Sequence, residues 1–222
     1  MAPLGLSLIL YAAAVGAAVL GAASRKPMLI GVGKPMATVL LFAVLGGVPS
    51  DRFGTMVFNA IILSLAADIT LLADGSEALV VGLGLYLVAH LCYGIAFLGA
   101  GPGGWLVLPG LAVFGACSTW LLRRQWRGIE PGLRVPVGAH VFSLSAMMAA
   151  VFSTLAGRAS LELAVVAAVG ATLFYFSQAL LPWARVRRSS VWAQPMTLTL
   201  YWAGQICLLL AARWGLGGKV VP

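Results

Sequence analysis

FNAIILSLAADITLLADG, residues 58–75, is apolar enough to cross a bilayer, yet it carries a carboxylate. Asp68 sits about five residues from the end of the span predicted here, 53–73. A carboxylate costs roughly 2.5 to 3.5 kcal/mol at the centre of a membrane helix, and less towards an interface. Such a residue is kept only if it finds a partner, lines a wet cavity or does chemistry. The chain has six acidic residues, and the other five, Asp51, Asp74, Glu77, Glu130 and Glu162, fall at predicted span ends or in loops. Any acid chemistry inside the membrane therefore belongs to Asp68.

Composition extends that reading to the whole chain. Of 222 residues, 61% are hydrophobic and 9% charged, against roughly 25% charged in a soluble domain. The expected class is an all-α polytopic transmembrane bundle of about eight spans, with residues 1–222 as one transmembrane domain and no room for a soluble one. Spans are predicted at 4–23, 35–48, 53–73, 78–98, 104–122, 135–156, 160–182 and 192–213. The second is short and opens on Lys34-Pro35. The N-terminal stretch has no positive n-region and reads as a retained first span. Cys92, Cys117 and Cys207 lie inside spans, and the two histidines have no cysteine at ligand spacing, so neither a disulfide framework nor a metal site is expected. No organic cofactor is implied. The net charge of +8 suits anionic headgroups and membrane topology rather than nucleic acid. The Gly-x-Gly pairs at 31–33 and 82–84 lack the strand that a nucleotide motif needs.

Basic residues set the expected orientation. Loops 1–2, 5–6 and 7–8 hold Arg25, Lys26, Lys34, Arg123, Arg124, Arg127, Arg134, Arg185, Arg187 and Arg188, ten of the 14. The other side holds Arg52, Arg158, Arg213 and Lys219. The positive-inside rule then puts both termini outside, in what reads as a bacterial cytoplasmic membrane. Trp105, Trp183, Trp192 and Trp214 fall near span ends as interfacial anchors. At about 1.5 Å per residue, Lys34, Asp68, His140, Ser177, Gln178 and Tyr201 all share one leaflet half. A polar cavity opening towards the inner leaflet is the simplest account.

Helical spacing aligns further candidates. Tyr86, His90, Tyr93 and Phe97 recur at intervals of four, three and four, and so share one stripe. Ser64 lies one turn before Asp68. Thr197, Tyr201 and Gln205 form a stripe in the eighth span, and His140, Ser143 and Met147 one in the sixth. Each has a plainer reading: aromatic stripes pack, buried histidines satisfy hydrogen bonds, and Ser177, Gln178 and Gln205 can join helices. Lys34 can equally reach for headgroups.

GKPMATVLLF, LSLAADITLL and VGLGLYLVAHLCYGIAF together resemble the YhhN family of membrane proteins, the lysoplasmalogenases. The shared features are Lys34-Pro35, Asp68 and His90-x-x-Tyr93. VPVGAHVFSLSAMMAA, GATLFYFSQALLPWAR and TLTLYWAGQICLLLAA look like the family's later spans, so the likeness covers nearly the whole chain. Two positions depart. Ser177-Gln178 stands where the family tends to have Ser-Asp, and His140 where it usually has Tyr. The departures leave Asp68 as the only deep acid.

The resemblance implies hydrolysis of the vinyl ether of a lysolipid. That reaction needs protonation of an electron-rich double bond and then attack by water, and a carboxyl group shielded from water can supply the proton. The expected catalytic residues are Asp68 as general acid, with His90 and Tyr93. The expected substrate-binding residues are Lys34, Ser64, Tyr86, His140, Ser177, Gln178, Tyr201 and Gln205. The same equipment suits a proton-initiated terpene cyclase, in which aromatic walls stabilise an isoprenoid cation. A third reading is a lipid-binding or transport protein in which Lys34 and Asp68 clamp two helices. Partners under all three are a lipid or isoprenoid small molecule and the membrane lipids themselves.

Overall fold

A computed structural model describes residues 4–47, 51–101, 104–157, 160–186 and 192–214. Eight α-helices run through them: α1 Leu4–Ala23, α2 Pro27–Leu45, α3 Arg52–Thr70, α4 Ser76–Ala100, α5 Val107–Gln125, α6 Arg134–Ser153, α7 Leu161–Val186 and α8 Ala193–Arg213. The described residues contain no strand. This is the all-α membrane bundle that composition implies. Arg158, Arg187, Arg188 and Lys219 lie outside the described residues, as do the side chains of Trp183 and Arg185.

Seven of these helices are long and apolar enough to cross a membrane. The exception is α5, whose last turn carries Arg123 and Arg124. Packing makes the same division. Helices α1, α2, α3, α4, α6, α7 and α8 touch in that order and close into a ring, because α8 returns to α1. Helix α5 stands outside it, against α6 and α7. The expectation of eight spans thus meets eight helices, of which seven form the closed bundle.

The second helix differs from its predicted extent. It begins at Pro27, which takes the first helical turn, so Lys34 and Pro35 lie well inside it. Proline suits a helix start because it has no N–H to satisfy there. Either proline could fill that role, and Pro27 does; membrane helices tolerate the interior Pro35. The helix is 19 residues long rather than short. It stops at Gly46, whose φ of 88° is left-handed, and the Arg213 guanidinium donates there to the Val44 carbonyl. A cation on the free carbonyls of a helix C-terminus is favourable, and the contact ties the far ends of α2 and α8 together.

Helices α7 and α8 cross at two glycines. A Cβ on Gly204 would lie 2.6 Å from the Phe174 amide nitrogen and 2.7 Å from the Gly170 carbonyl oxygen. Only a missing side chain permits that approach. The crossing brings Phe174 and Tyr201 to within 5.5 Å, centroid to centroid, inside the ring. Outside it, Trp105, Trp192 and Trp214 are exposed near helix ends, as interfacial anchors should be.

Candidate functional site

Asp68 occupies the last turn of α3 and is fully buried. Its side chain faces the middle of the ring, where donors arrive from three other helices. Lys34 Nζ of α2 lies 2.9 Å from Oδ1. Tyr86 of α4 donates its hydroxyl to the same oxygen at 2.5 Å. Thr38 of α2 donates to Oδ2 at 2.8 Å, and Tyr201 of α8 donates to it at 3.1 Å. A carboxylate offers about four lone-pair sites, and all are occupied. Lys34 is only 8% exposed, so its charge depends on Asp68 rather than on water.

A second layer holds the first. Gln205 Nε2 donates to the Tyr201 hydroxyl at 3.3 Å and lies 3.5 Å from Ser64 Oγ. Its Oε1 accepts from the Tyr93 hydroxyl at 2.5 Å. The path Tyr93–Gln205–Tyr201–Asp68 therefore links α4, α8 and α3 through side chains that are nearly or wholly buried.

The histidines form a neighbouring group. His90 and His140 are both fully buried, with ring centroids 5.0 Å apart. Tyr86 connects them to the acid: its ring stacks on His90 at 6.2 Å and meets His140 edge-on at 6.1 Å, while its hydroxyl holds Asp68. His90 Nδ1 lies 3.1 Å from Ser143 Oγ. Neither nitrogen of His140 makes a close hydrogen bond among the described residues, although the backbone of Leu83 and of Gln178 faces its ring.

The structure thus gathers Lys34, Ser64, Asp68, Tyr86, Tyr93, Tyr201 and Gln205 into one hydrogen-bonded cluster and sets His90 and His140 beside it. Gln178 belongs to the histidine side, through its backbone, and its Oε1 is buried without a partner. Ser177 is not brought in. It donates to the Thr197 carbonyl at 2.9 Å and joins α7 to α8. Thr38 is a contact that the sequence reading missed. The available signal was its position one turn after Lys34, on the same helical face.

Asp68 also differs from the shielded acid lining a polar cavity that the sequence suggested. It is closed in by donors and paired with a lysine, and that pair is what the helix-clamp reading requires. One opening, near an end of the bundle, lies elsewhere. It is a groove of ≈ 540 Å³ lined by Ser76, Glu77, Val80, Val81, Glu130, Gly132 and Leu133. It is lined by none of the cluster residues.

The molecule is thus an α-helical membrane protein built around a buried lysine–carboxylate centre. It belongs to the YhhN family, whose model matches residues 29–212 and so spans the entire cluster. A curated relative, lysoplasmalogenase TMEM86B of Rattus norvegicus, is 30% identical over 166 residues. The match covers 74% of this chain and 64% of that protein, so the chain spans a little under two thirds of the relative's length. No solved structure matches the chain.

Proposed function

We propose that this protein hydrolyses the vinyl ether of a lysolipid, releasing a fatty aldehyde and a glycerophospho-alcohol. The observation that carries the reading is the Lys34–Asp68 pair, enclosed by hydroxyls at the centre of the ring. Membership of the YhhN family and the likeness to a protein named a lysoplasmalogenase support it.

The pair can supply the acid without a proton from bulk water. One proton lies on the 2.9 Å contact between Nζ and Oδ1. Moving it to the carboxylate turns an ion pair into two neutral groups, and Asp68 then acts as general acid towards the vinyl carbon. Once that carbon is protonated, the restored carboxylate faces a new oxocarbenium ion, which its charge stabilises. Tyr86, Tyr201 and Thr38 keep the acid aimed throughout. Tyr93, Gln205 and Ser64 hold Tyr201 in turn.

A second reading, cyclisation of an isoprenoid, is favoured by one feature. Tyr86 and Tyr201 bond the acid and join Tyr93 and Phe174 in a connected aromatic group beside it, and among the described residues no arginine bonds the acid to hold a phosphate there. Purified protein incubated separately with a lysoplasmalogen and with prenylated acceptors tests both readings, with Asp68→Asn as control. Fatty aldehyde release supports the hydrolase. A cyclised isomer of unchanged mass replaces that reading with the second, and neither product from well-folded protein rules out both.

A further inference from the structure

The acid centre has every valence filled, whereas the histidines beside it do not. Ser143 has one hydroxyl proton, and it donates this to the His140 carbonyl at 2.8 Å. Its oxygen, 3.1 Å from His90 Nδ1, is therefore left to accept. That assigns the His90 proton to Nδ1 and leaves Nε2 as a bare lone pair. Nε2 is buried, and no donor among the described residues reaches it. Across a centroid separation of 5.0 Å, neither nitrogen of His140 makes a close hydrogen bond among the described residues, although the Leu83 and Gln178 backbones lie beside its ring. Buried polar atoms are nearly always satisfied, and where the protein offers nothing, an ordered water does so. An acceptor on one ring and a donor on the other match the two sides of a single water molecule.

We propose that His90 and His140 hold a buried water between them, and that this water is the nucleophile completing the reaction. The inference rests on the vinyl-ether reading above. Protonation by the Lys34–Asp68 pair forms a C–H bond at the vinyl carbon remote from oxygen and leaves the cation R–CH2–CH=O⁺–R′. The held water forms a C–O bond to the cationic carbon and gives a proton to His90 Nε2, leaving a hemiacetal. His90 passes that proton to the ether oxygen as its bond to carbon breaks. The hemiacetal hydroxyl proton returns to the Lys34–Asp68 pair, so both groups are restored and one water is consumed. Tyr86 sets the spacing, since its hydroxyl holds the acid and its ring flanks both imidazoles.

Turnover of a lysoplasmalogen in D2O separates this role from a structural one. Wild-type protein is expected to release aldehyde carrying one deuterium and to leave unreacted substrate unlabelled. His90→Phe and His140→Phe are expected to lose roughly 100-fold or more in aldehyde release. Their recovered substrate should gain deuterium at the protonated vinyl carbon, because a cation waiting for water gives its proton back. A merely structural histidine would lower release and exchange together. His90→Gln, which keeps an acceptor, serves where the Phe variant does not fold.

The arm independent of activity is an experimental structure at a resolution that shows ordered water. Density within hydrogen-bonding distance of His90 Nε2, in protein without substrate, is expected. Absence of that density, or histidine variants that turn over at the wild-type rate, overturns the proposal. Wild-type protein that shows the water but releases no aldehyde would sink the vinyl-ether reading and leave the water site standing.

Discussion

Two groups of buried polar side chains join helices in this protein, and they differ in kind. Ser118 of α5 contacts Ser145 of α6 at 2.7 Å and Tyr175 of α7 at 2.6 Å, outside the seven-helix ring. Lys34, Thr38, Asp68, Tyr86 and Tyr201 meet at the centre of the ring across α2, α3, α4 and α8. The outer group has no charge. Three hydroxyls satisfy one another there and hold α5 in place. The inner group contains a charge of each sign, and the fold directs four donors onto one carboxylate. Buried ion pairs are poor stabilisers, since well-packed apolar residues of similar volume often serve as well or better. The outer knot shows that these helices can be joined without charge. Charge at the centre therefore fits the proposed chemistry better than packing alone.

The comparison is tested most severely at Asp68. Under the proposed reaction, Asp68→Asn is expected to reduce aldehyde release by about 100-fold or more, as loss of a general acid does. It also strands Lys34 in the interior, at a stability cost of about 3 to 5 kcal/mol typical of broken buried pairs. Thermal unfolding in detergent measures the second effect. The double variant Lys34→Met/Asp68→Leu separates the two, because it should recover most of the stability and none of the turnover. Recovery of both would break the contrast, and loss of both would favour the helix clamp.

At the α7–α8 crossing, Gly204→Ala is expected to cost about 1 to 3 kcal/mol, the range for overpacking a tight interface. Its new methyl would meet the Phe174 backbone at 2.6 Å. Turnover should fall as well, because the same crossing sets Tyr201 against Asp68. Tyr86→Phe keeps the ring and removes the hydroxyl at 2.5 Å. Loss of a hydrogen bond to a charged group, about 1.5 to 3 kcal/mol, should appear mainly in the rate. Ser118→Ala should show the smallest effect, about 1 kcal/mol of stability with turnover unchanged. A large loss of activity from this outer substitution would erase the distinction between the two groups.

Much of the centre is legible from helical spacing. Ser64 and Asp68, Tyr86 and Tyr93, and Tyr201 and Gln205 each share a face, and the structure turns each pair inward. Ser177 is the counterexample. Its depth matches the others, but its side chain meets the Thr197 backbone. Depth alone says nothing about direction, and a single serine has no stripe to supply it. Proline usually marks a helix end, and with two prolines competing for that mark the sequence alone puts Lys34 at the wrong one. Thr38 is hard to read from sequence because its one signal, a position one turn after Lys34, gains meaning only once Lys34 itself faces inward.

The sequence by itself determined that the chain is a helical membrane protein and that its one deep carboxylate must find a purpose. Both follow from transfer energies that act on each residue wherever its neighbours lie. Only the tertiary structure decided that Lys34 is that carboxylate's partner, that α5 stands outside the ring, and that two buried histidines pack side by side. Those facts depend on which helices become neighbours. Neighbours in a bundle are chosen by close contacts such as the glycine crossing of α7 and α8, between residues that periodicity within single helices cannot pair.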